Sequence, residues 1–475
     1  MRGPLIFRLA LFLVSLHIVG CGWIGGEADT IHFSHLSFER LIQIHPELFP
    51  VADIFDESSS EVQSKKKHGR QLALFAKVFS LAQREYVKIL SSEQLISGAL
   101  EGIKTIKASG LKVEKFSSDE KMAKILRRMM SGLDAHSDYL TPAEYDQIQV
   151  RTRGQFGGVG IEMTMDHGLV KCIAPIEDTP AQRAGIRPGD LISHVDGKPV
   201  LGMSLLQVVE KMRGPPGSRV TLRVMRDSSS EPFDVKLLRE VIRIKPVSAR
   251  AEGDIGYVRI STFSERTYRS LTREIEGLSR ELGVRMIGLI IDLRDNPGGL
   301  FEQALKVSDA FLTEGEIVST IGREKERISR FLADPEDIAF GIPMAVLING
   351  GSASASEIVS GALKDHGRAV IFGERSFGKG SVQTVIPLGR GEGAIRLTTA
   401  RYYTPSGQSI QVHGVEPDIV FNQVNPPRRE KDLQNPLSAE GKGSKIYGLL
   451  LDTVCPDAGG HSDPILLCAL EMLRN

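Results

Sequence analysis

Serines, a lysine and a glutamine between positions 350 and 384 are residue types that could together carry out acyl transfer. The stretch reads GGSASASEIVSGALKDHGRAVIFGERSFGKGSVQT, so Lys379 follows Ser354 by 25 positions and Gln383 comes four residues later. A hydroxyl nucleophile, an amine that accepts its proton and a polar partner for that amine are the groups that this chemistry needs. Serine hydrolases exist that use such a Ser-Lys pair in place of Ser-His-Asp.

The elements around Ser354 are predicted to be a strand, a turn and a helix. The apolar run Pro343–Ile348 predicts a buried strand, and the glycines that follow it predict a turn. Apolar residues at helical spacing then predict a helix, and they are Ala355, Ile358, Val359, Ala362 and Leu363. The unpaired N–H groups at the start of such a helix are suited to stabilising the oxyanion of a tetrahedral intermediate.

The same residues also have a simpler interpretation as a helix cap. Ser354-x-x-Glu357 is a capping box, and most capping boxes only begin a helix. The local pattern by itself favours the cap, and it does not choose among Ser352, Ser354 and Ser356 as a nucleophile.

Lys379 admits three interpretations. The residues at 373–379 match the first seven positions of a phosphate-binding P-loop, but Gly380 stands where that loop has Ser or Thr, and a strand is predicted next, over Ser381–Ile386. A solvated loop lysine is the usual state of this residue type. The third interpretation is a general base, because alternate residues of an extended segment point the same way and Gln383 would then reach and orient the Lys379 amine.

A lysine that acts as a base must be partly neutral. An ordinary lysine has a pKa near 10.4 and is protonated at pH 7, whereas burial disfavours the ammonium and lowers the pKa. Phe377, Val382 and Val385 are apolar neighbours that could supply this burial. We therefore predict that Lys379 is partly neutral in the active form.

A second oxyanion donor is expected from an upstream turn. Met286–Leu293 is a nearly continuous apolar run, which is typical of a strand buried on both faces. The turn Arg294–Gly299 follows it, and Leu300–Leu312 then has the pattern of a helix. In open α/β sheets, sites lie beyond the carboxyl ends of strands, and Gly298 would let the backbone approach a substrate closely. Taken alone, the Pro-Gly-Gly sequence favours a simple tight turn.

Longer motifs resemble those of the C-terminal processing, or tail-specific, peptidases. The motifs are NGGSASASEI, GRAVIFGERSFGKGSVQT, TTARYYTPSGQSIQVHGVEPDI, IIDLRDNPGG, GYVRISTF, FGGVGIEM and LDAHSDYLTPAEY. The resemblance implies that Ser354, the middle serine of SASAS, is the nucleophile, Lys379 the general base and Gln383 the residue that positions it. It also implies that the N–H groups of Gly298 and Ala355 form the oxyanion hole. The implied fold class is α/β, with a Clp-protease/crotonase-like mixed α/β catalytic core.

Residues 155–239 resemble a PDZ domain, with short β-rich runs and frequent turn signals. PDZ domains bind an extended peptide beside a sheet edge and hold its C-terminal carboxylate on backbone N–H groups. The predicted carboxylate loop comprises Gly157, Gly158, Val159, Gly160 and Ile161. Met203–Met212 would be the helix that lines the groove, and Arg213 would sense a bound peptide or contact the catalytic domain. The alternative for the glycines is a plain β-turn.

Composition indicates an ordinary globular protein of several domains. The 475 residues include 59 basic and 59 acidic side chains, which gives no support for nucleic-acid binding. No zinc-type Cys/His spacing and no HExxH motif occurs, so no metal or cofactor is expected. The predicted parts are a signal peptide (1–21), a helical N-terminal region (30–150), the inserted PDZ-like β-rich domain (151–240), the Ser-Lys peptidase core (241–424) and a C-terminal tail (425–475).

The N-terminus predicts export from a bacterial cytoplasm to the periplasm. Arg2 and Arg8 form a positively charged segment before the apolar stretch Leu9–Val19. That stretch has the length found in a signal peptide and is too short for an ordinary membrane span. The residues up to Cys21 resemble a lipoprotein signal, which predicts a lipid anchor at Cys21; the alternative is an ordinary cleaved signal. In an oxidising compartment, Cys455 and Cys468 could form a disulfide.

These features together predict a serine endopeptidase that cleaves exported proteins selected through a free, apolar C-terminus. Its partners are protein substrates with exposed C-termini, and the helical N-terminal region is expected to frame the core or to form homodimer contacts. Two alternatives are a non-catalytic PDZ scaffold, in which Ser354 only caps a helix, and a carrier of hydrophobic ligands. The intact set of Ser354, Lys379 and Gln383 argues against both.

Overall fold

Helices and strands alternate along much of the computed structural model, which describes residues 37–56, 62–108, 116–226, 231–324, 326–389, 391–421, 428–440, 449–450, 454–455 and 462–475. The helices are α1 (Phe38–Ile44), α2 (Phe49–Asp56), α3 (Val62–Glu85), α4 (Ser92–Ala108), α5 (Ser118–Ser131), α6 (Pro142–Arg153), α7 (Pro180–Arg183), α8 (Leu205–Met212), α9 (Thr267–Leu282), α10 (Phe301–Asp309), α11 (Ala355–Asp365) and a C-terminal helix (Pro464–Arg474). Short 3₁₀ turns occur at Pro46–Leu48, Gly283–Arg285 and Glu430–Asp432.

The strands are grouped into sheets that correspond to different parts of the chain. They are β1 (Asp138–Leu140), β2 (Gln155–Gly158), β3 (Ile161–Asp166), β4 (Leu169–Pro175), β5 (Leu191–Val195), β6 (Lys198–Pro199), β7 (Arg219–Met225), β8 (Phe233–Leu238), β9 (Glu240–Arg243), β10 (Val247–Glu252), β11 (Ile255–Ile260), β12 (Gly288–Asp292), β13 (Glu316–Ile321), β14 (Ile328–Leu332), β15 (Met344–Ile348), β16 (Val370–Gly373), β17 (Ser381–Pro387), β18 (Ala394–Tyr403), β19 (Ile419–Val420) and β20 (Leu449–Leu450).

The central sheet has seven strands in the order β10-β11-β12-β15-β16-β19-β20. From β11 onward neighbouring strands are parallel. Every residue of β12 and β15 is buried, in agreement with the apolar runs that predicted them. Because side chains alternate across a strand, Leu289 and Ile291 pack with α9, α10 and α11, whereas Ile290 packs with the C-terminal helix. The carboxyl ends of β12 and β15 therefore lead into neighbouring turns.

A second sheet joins the helical N-terminal region to the core. Its order is β1-β18-β13-β14, with β17 paired to β18. Ile395 and Leu397 of β18 belong to the same apolar core as the buried faces of α1 to α5. Capping boxes begin α5 at Ser117 and α6 at Thr141. Since β17 begins two residues after Lys379, this sheet positions the end of the loop that carries the lysine.

The inserted domain is a six-stranded antiparallel sheet in the order β3-β4-β5-β7-β8, with β6 paired to β5. Strand β3 is at the edge of this sheet, and α8 contributes the fully buried Val208 to the domain core. The two-stranded ribbon β2-β9 connects the domain to the rest of the chain. An edge strand with free backbone groups is the element to which an extended peptide adds.

The architecture confirms the expected fold class, a mixed α/β core with an inserted β-rich domain and a helical N-terminal region. Cys455 and Cys468 are joined by a disulfide, with their Cα atoms 5.6 Å apart. The predicted export signal, including Cys21, lies outside the described residues. Within the described ranges, no helix is both long enough and apolar enough to cross a membrane.

Candidate active site

The turn that carries Ser354 connects β15 to α11. Ser354 has φ 55° and ψ −110°, a backbone conformation that residues other than glycine rarely adopt. Such strain persists only where the surrounding structure enforces it, and it is concentrated at functional sites. A strained strand-to-helix turn is also the way in which α/β-hydrolases expose a nucleophilic serine.

The surroundings of the three neighbouring serines differ. Ser352 and Ser356 are fully buried, and their hydroxyls donate to the carbonyls of Leu293 and Asn296 at 2.8 and 2.9 Å. Ser354 is partly exposed. The structure thus leaves Ser354 as the accessible hydroxyl of the three, a choice that the local sequence pattern did not make.

Two side chains link the backbone of Lys379 to that of Ser354. Glu357 Oε2 accepts hydrogen bonds from the N–H of Ser354 at 2.7 Å and from the N–H of Lys379 at 3.0 Å. The Tyr402 hydroxyl bonds the carbonyl of Lys379 and lies 3.2 Å from that of Ser354. The fold therefore brings these two segments together although 25 positions separate them in the sequence.

Electrostatics favour a partly neutral Lys379. Burial lowers the pKa of Lys379 to about 8, and the positive charge of Arg396 acts in the same direction. The carboxylates of Glu430, Glu357 and Asp134 oppose this change, since they stabilise the ammonium. The direction of the net shift agrees with the prediction made from the sequence.

Gln383 lies near the lysine loop without bonding the lysine. Its amide Nε2 donates to Ser381 Oγ at 2.9 Å and to Thr398 Oγ1 at 3.3 Å. No hydrogen bond joins Gln383 to Lys379 in the part of the chain that the structure describes. Ser381 and Gln383 do share a face of β17, but the strand begins only at Ser381, so the alternation does not extend to Lys379.

Gly298 packs against the start of α11. Its φ is 95°, and a Cβ on it would lie 2.7 Å from the carbonyl oxygen of Ala353 and 2.9 Å from the nitrogen of Ala355. The predicted proximity of Gly298 and Ala355 is thus present. The Gly298 N–H, however, donates to Asn296 Oδ1 at 2.9 Å, while the Ala355 N–H has no acceptor among the described residues.

Asn296 connects the glycine turn to the serine turn, and sequence reasoning did not single it out. Its carbonyl accepts the N–H of Ala353 at 3.0 Å and the hydroxyl of Ser356 at 2.9 Å. Its Nδ2 donates to the carbonyl of Ile260 at 2.8 Å. The sequence did place this asparagine in a turn at the end of a strand, where site residues are common. Its hydrogen bonds to the serine turn depend on tertiary packing and could not be predicted from the sequence.

The predicted carboxylate loop has two parts. Gly157 and Gly158 belong to β2 and pair with β9, whereas Val159 and Gly160 lead into Ile161, the first residue of β3. The carbonyls of Val159 and Gly160 accept hydrogen bonds from the segment around α7. The loop therefore combines a connecting ribbon with the turn before the edge strand.

Arg213 directly follows Met212, the last residue of α8, and caps the C-terminus of that helix. Its guanidinium lies over the ring of Phe156 in β2, 4.6 Å from the centroid, and burial lowers its pKa. Its Nε is buried without a hydrogen-bond partner among the described residues. Arg213 thus joins the predicted groove helix to the ribbon that leads into the core.

The sequence of this chain is similar to proteins of a known family. Residues 254–421 match the model of Peptidase family S41, and residues 173–226 match that of a PDZ domain. The carboxy-terminal-processing protease of Bartonella bacilliformis is 46% identical over 360 residues, which are 76% of this chain and 77% of the relative. The chain belongs to peptidase family S41. The family resemblance inferred from the motifs is confirmed, and the chain is a serine-type peptidase.

The chain is also similar to other processing proteases, at lower sequence identity. The carboxyl-terminal-processing protease of Synechocystis is 36% identical over 306 residues, which are 63% of this chain and 70% of the relative. A solved structure of a photosystem II D1 C-terminal processing protease is 31% identical and covers 74% of this chain and 93% of its own, with a TM-score of 0.44.

The S41 match ends at residue 421, yet the segment that follows contributes to the site. Glu430 is fully buried; its N–H donates to the carbonyl of Phe377 at 3.1 Å, and its carboxylate contacts His136 Nε2 at 2.8 Å and Gln411 Nε2 at 2.8 Å. Gln411 in turn accepts the N–H of Gly380 at 3.0 Å. Glu430 of the predicted C-terminal tail thus contacts Phe377 directly and supports Gly380 through Gln411, so it stabilises the residues on both sides of Lys379.

Proposed function

We propose that the chain is a serine endopeptidase of the C-terminal processing type in which Ser354 is the nucleophile and Lys379 the general base. Ser354 Oγ attacks the scissile carbonyl and passes its proton to the neutral Lys379 amine. The amine then gives that proton to the departing amino group, and water hydrolyses the acyl-enzyme by the same route. The observation that carries the proposal is the double link of Ser354 and Lys379 through Glu357 and Tyr402.

We assign the oxyanion hole to the backbone N–H groups of Ala355 and Gly298. Ala355 supplies the unpaired donor at the start of α11. Gly298 lies beside it but donates to Asn296, so its N–H must leave that acceptor to serve the oxyanion. Gln383 is proposed to steady the lysine loop through Ser381, the residue that it contacts, and not through the amine itself.

Substrates are proposed to be exported proteins with a free, apolar C-terminus. The edge strand β3, the turn at Val159–Gly160 and the helix α8 would receive the chain end, with the carboxylate on the N–H groups of the turn. The disulfide between Cys455 and Cys468 supports an oxidising, periplasmic location. A lipid at Cys21 and a homodimer remain part of the proposal.

Peptide turnover tests the reaction and the selection together. The wild type should hydrolyse a peptide with an apolar free C-terminus, and amidation of that C-terminus should lower kcat/KM by about tenfold or more, since a buried carboxylate contact is lost. Ser354→Ala should abolish turnover of both peptides. Turnover that survives Ser354→Ala would contradict the proposed nucleophile. Equal rates for the two peptides would contradict selection through the free C-terminus.

Arg213→Ala is the control that separates binding in the inserted domain from chemistry. Removing the guanidinium that stacks on Phe156 should raise KM for the peptide with a free C-terminus. The ratio of kcat/KM for this peptide to kcat/KM for the amidated peptide should therefore fall. A short amide substrate that does not reach the domain should be hydrolysed at the wild-type rate. Unchanged preference in Arg213→Ala would remove this residue from the proposal.

The pH dependence of hydrolysis should report on Lys379. Only the neutral amine accepts a proton, so kcat/KM should rise with pH and level off above pH 8, following the lysine pKa of about 8. The measurement is kcat/KM between pH 5.5 and 9.5, with unfolding followed at each pH to exclude loss of structure. A plateau already reached at pH 6 would exclude Lys379 as the base.

A further inference from the structure

Glu357 contacts the catalytic segments more extensively than a helix cap requires. It is fully buried in the first turn of α11, and its carboxylate accepts four hydrogen bonds. Oε2 receives the N–H groups of Ser354 and Lys379, and Oε1 receives Ser376 Oγ at 2.5 Å and the N–H of Gly378 at 2.7 Å. A capping carboxylate needs only the first of these donors.

The chemistry of the four donors specifies a carboxylate. All four partners are N–H or O–H groups, and an ionised carboxyl is acceptor-only with about four lone-pair sites. An amide of the same shape would turn its NH₂ group toward two of these donors. Three of the four donors come from residues 376–379, about twenty positions beyond the helix start, so the geometry serves the lysine loop as much as the helix.

We propose that Glu357 is a positioning residue for hydrolysis, whose carboxylate holds Ser354 and Lys379 in a fixed relation and sets the charge balance at the Lys379 amine. The inference rests on the proposed function. The Tyr402 hydroxyl donates to the carbonyl of Lys379 and lies 3.2 Å from that of Ser354, so a second side chain contacts the backbone of the same two residues.

The charges around the pair determine how Glu357 acts on Lys379. Glu357 faces Tyr402, Arg429 and Lys379, and burial raises the pKa of Glu357 to about 7 although its four donors oppose this. Lys379 faces the positive Arg396 and the negative Glu430, Asp134 and Glu357. An ionised Glu357 therefore favours the ammonium, and removal of its charge would lower the lysine pKa.

Glu357→Gln tests both parts of the proposal. We expect kcat to fall about tenfold to a hundredfold with little change in KM, because Ser354 and Lys379 are no longer aligned. We also expect the acidic limb of kcat/KM to move down by about one pH unit or more, because a nearby negative charge is lost. A purely structural role would lower activity but leave the pH of the acidic limb of kcat/KM unchanged, and that outcome would overturn the inference.

Ser360→Ala is the matched control for a buried change in the same helix. Its hydroxyl donates to the carbonyl of Ser356 at 2.9 Å and lies 3.5 Å from that of Glu357, but it does not contact the Glu357 carboxylate. Among the described residues it forms no hydrogen bond with the lysine loop, so kcat and the pH limb should stay as in the wild type. If Glu357→Gln does not fold, Ser376→Ala removes a single donor and should lower kcat several-fold with a smaller downward shift of the limb. An unaltered Ser376→Ala enzyme would also contradict the inference.

Labelling with a fluorophosphonate separates this inference from the proposed function. The reagent reports a nucleophilic serine without peptide turnover. A wild type that neither labels at Ser354 nor hydrolyses peptide refutes the proposed function. A wild type that does both, beside a Glu357→Gln variant with wild-type kcat and pH limb, refutes only the role of Glu357.

Discussion

Lys379→Met should abolish most peptidase activity and at the same time stabilise the folded protein at pH 7. General-base catalysis contributes about 10²–10⁴-fold to rate, so kcat should fall by that factor while the protein still folds. Methionine keeps the apolar length of lysine without the amine, which suits a partly buried position. Loss of activity coupled to a gain in stability is the signature of a residue retained for chemistry.

The gain in stability follows from the sign of the lysine pKa shift. The pKa falls from an ordinary value near 10.4 to about 8 on folding, so the folded state disfavours the ammonium by about 3 kcal/mol. Below pH 8 the wild type carries this full cost. Between pH 8 and 10.4 the unfolded chain binds more protons than the folded one, and wild-type stability rises with pH. The advantage of Lys379→Met should therefore shrink over that window in urea unfolding measured from pH 7 to 10.

Lys364→Met is a matched control within α11. Lys364 Nζ donates to Asp418 Oδ1 at 2.7 Å and to the carbonyl of Glu416 at 2.6 Å, so its removal should cost about 1 kcal/mol and leave kcat unchanged. The two substitutions should thus move stability in opposite directions. A Lys379→Met variant that keeps turnover, or that is destabilised like Lys364→Met, would contradict the assignment of the base.

Local sequence signals were sufficient for the segment that carries Ser354. The apolar run before it, the glycines of the turn and the helical spacing after Ala355 are all short-range patterns, and β15 and α11 lie where these patterns predicted them. The choice of Ser354 over Ser352 and Ser356 is different in kind. It depends on which hydroxyls meet buried carbonyls of the neighbouring turn, and the resemblance supplied it before the structure gave a physical reason.

Contacts between distant segments account for what the sequence did not predict. Gln383 was expected to reach Lys379 by strand alternation, but the strand begins at Ser381, and only the paired sheet determines that boundary. Glu430 lies beyond the family match in a stretch with no periodic pattern, yet it becomes fully buried beside the lysine loop. The sequence spacing identified Glu357 only as a capping residue, because that spacing predicts a hydrogen bond from the N–H of Ser354. The three donors from the lysine loop come from distant positions and could not be predicted in this way.

Gly298→Ala should nearly abolish turnover by separating the two turns of the proposed oxyanion hole. The added Cβ would lie 2.7 Å from the carbonyl oxygen of Ala353 and 2.9 Å from both Ala355 N and Ser354 Cβ. Two of these atoms belong to the backbone at the start of α11, which cannot yield cheaply, and φ of 95° is already unfavourable for alanine. Loss of one oxyanion donor costs about 10²–10³ in kcat, and we expect at least that loss.

Gly283→Ala distinguishes this steric effect from backbone strain alone. Gly283 follows the last residue of α9 with φ 56° and ψ −135°, and a Cβ there meets nothing within 4 Å. The substitution should therefore cost about 1–3 kcal/mol from backbone strain and leave kcat unchanged. Rates should be expressed per folded molecule, with the folded fraction measured by thermal unfolding, because Gly298→Ala also strains the chain. If Gly298→Ala retains wild-type kcat per folded molecule, the close approach of residue 298 to the start of α11 is not needed for hydrolysis, and its place in the oxyanion hole is contradicted.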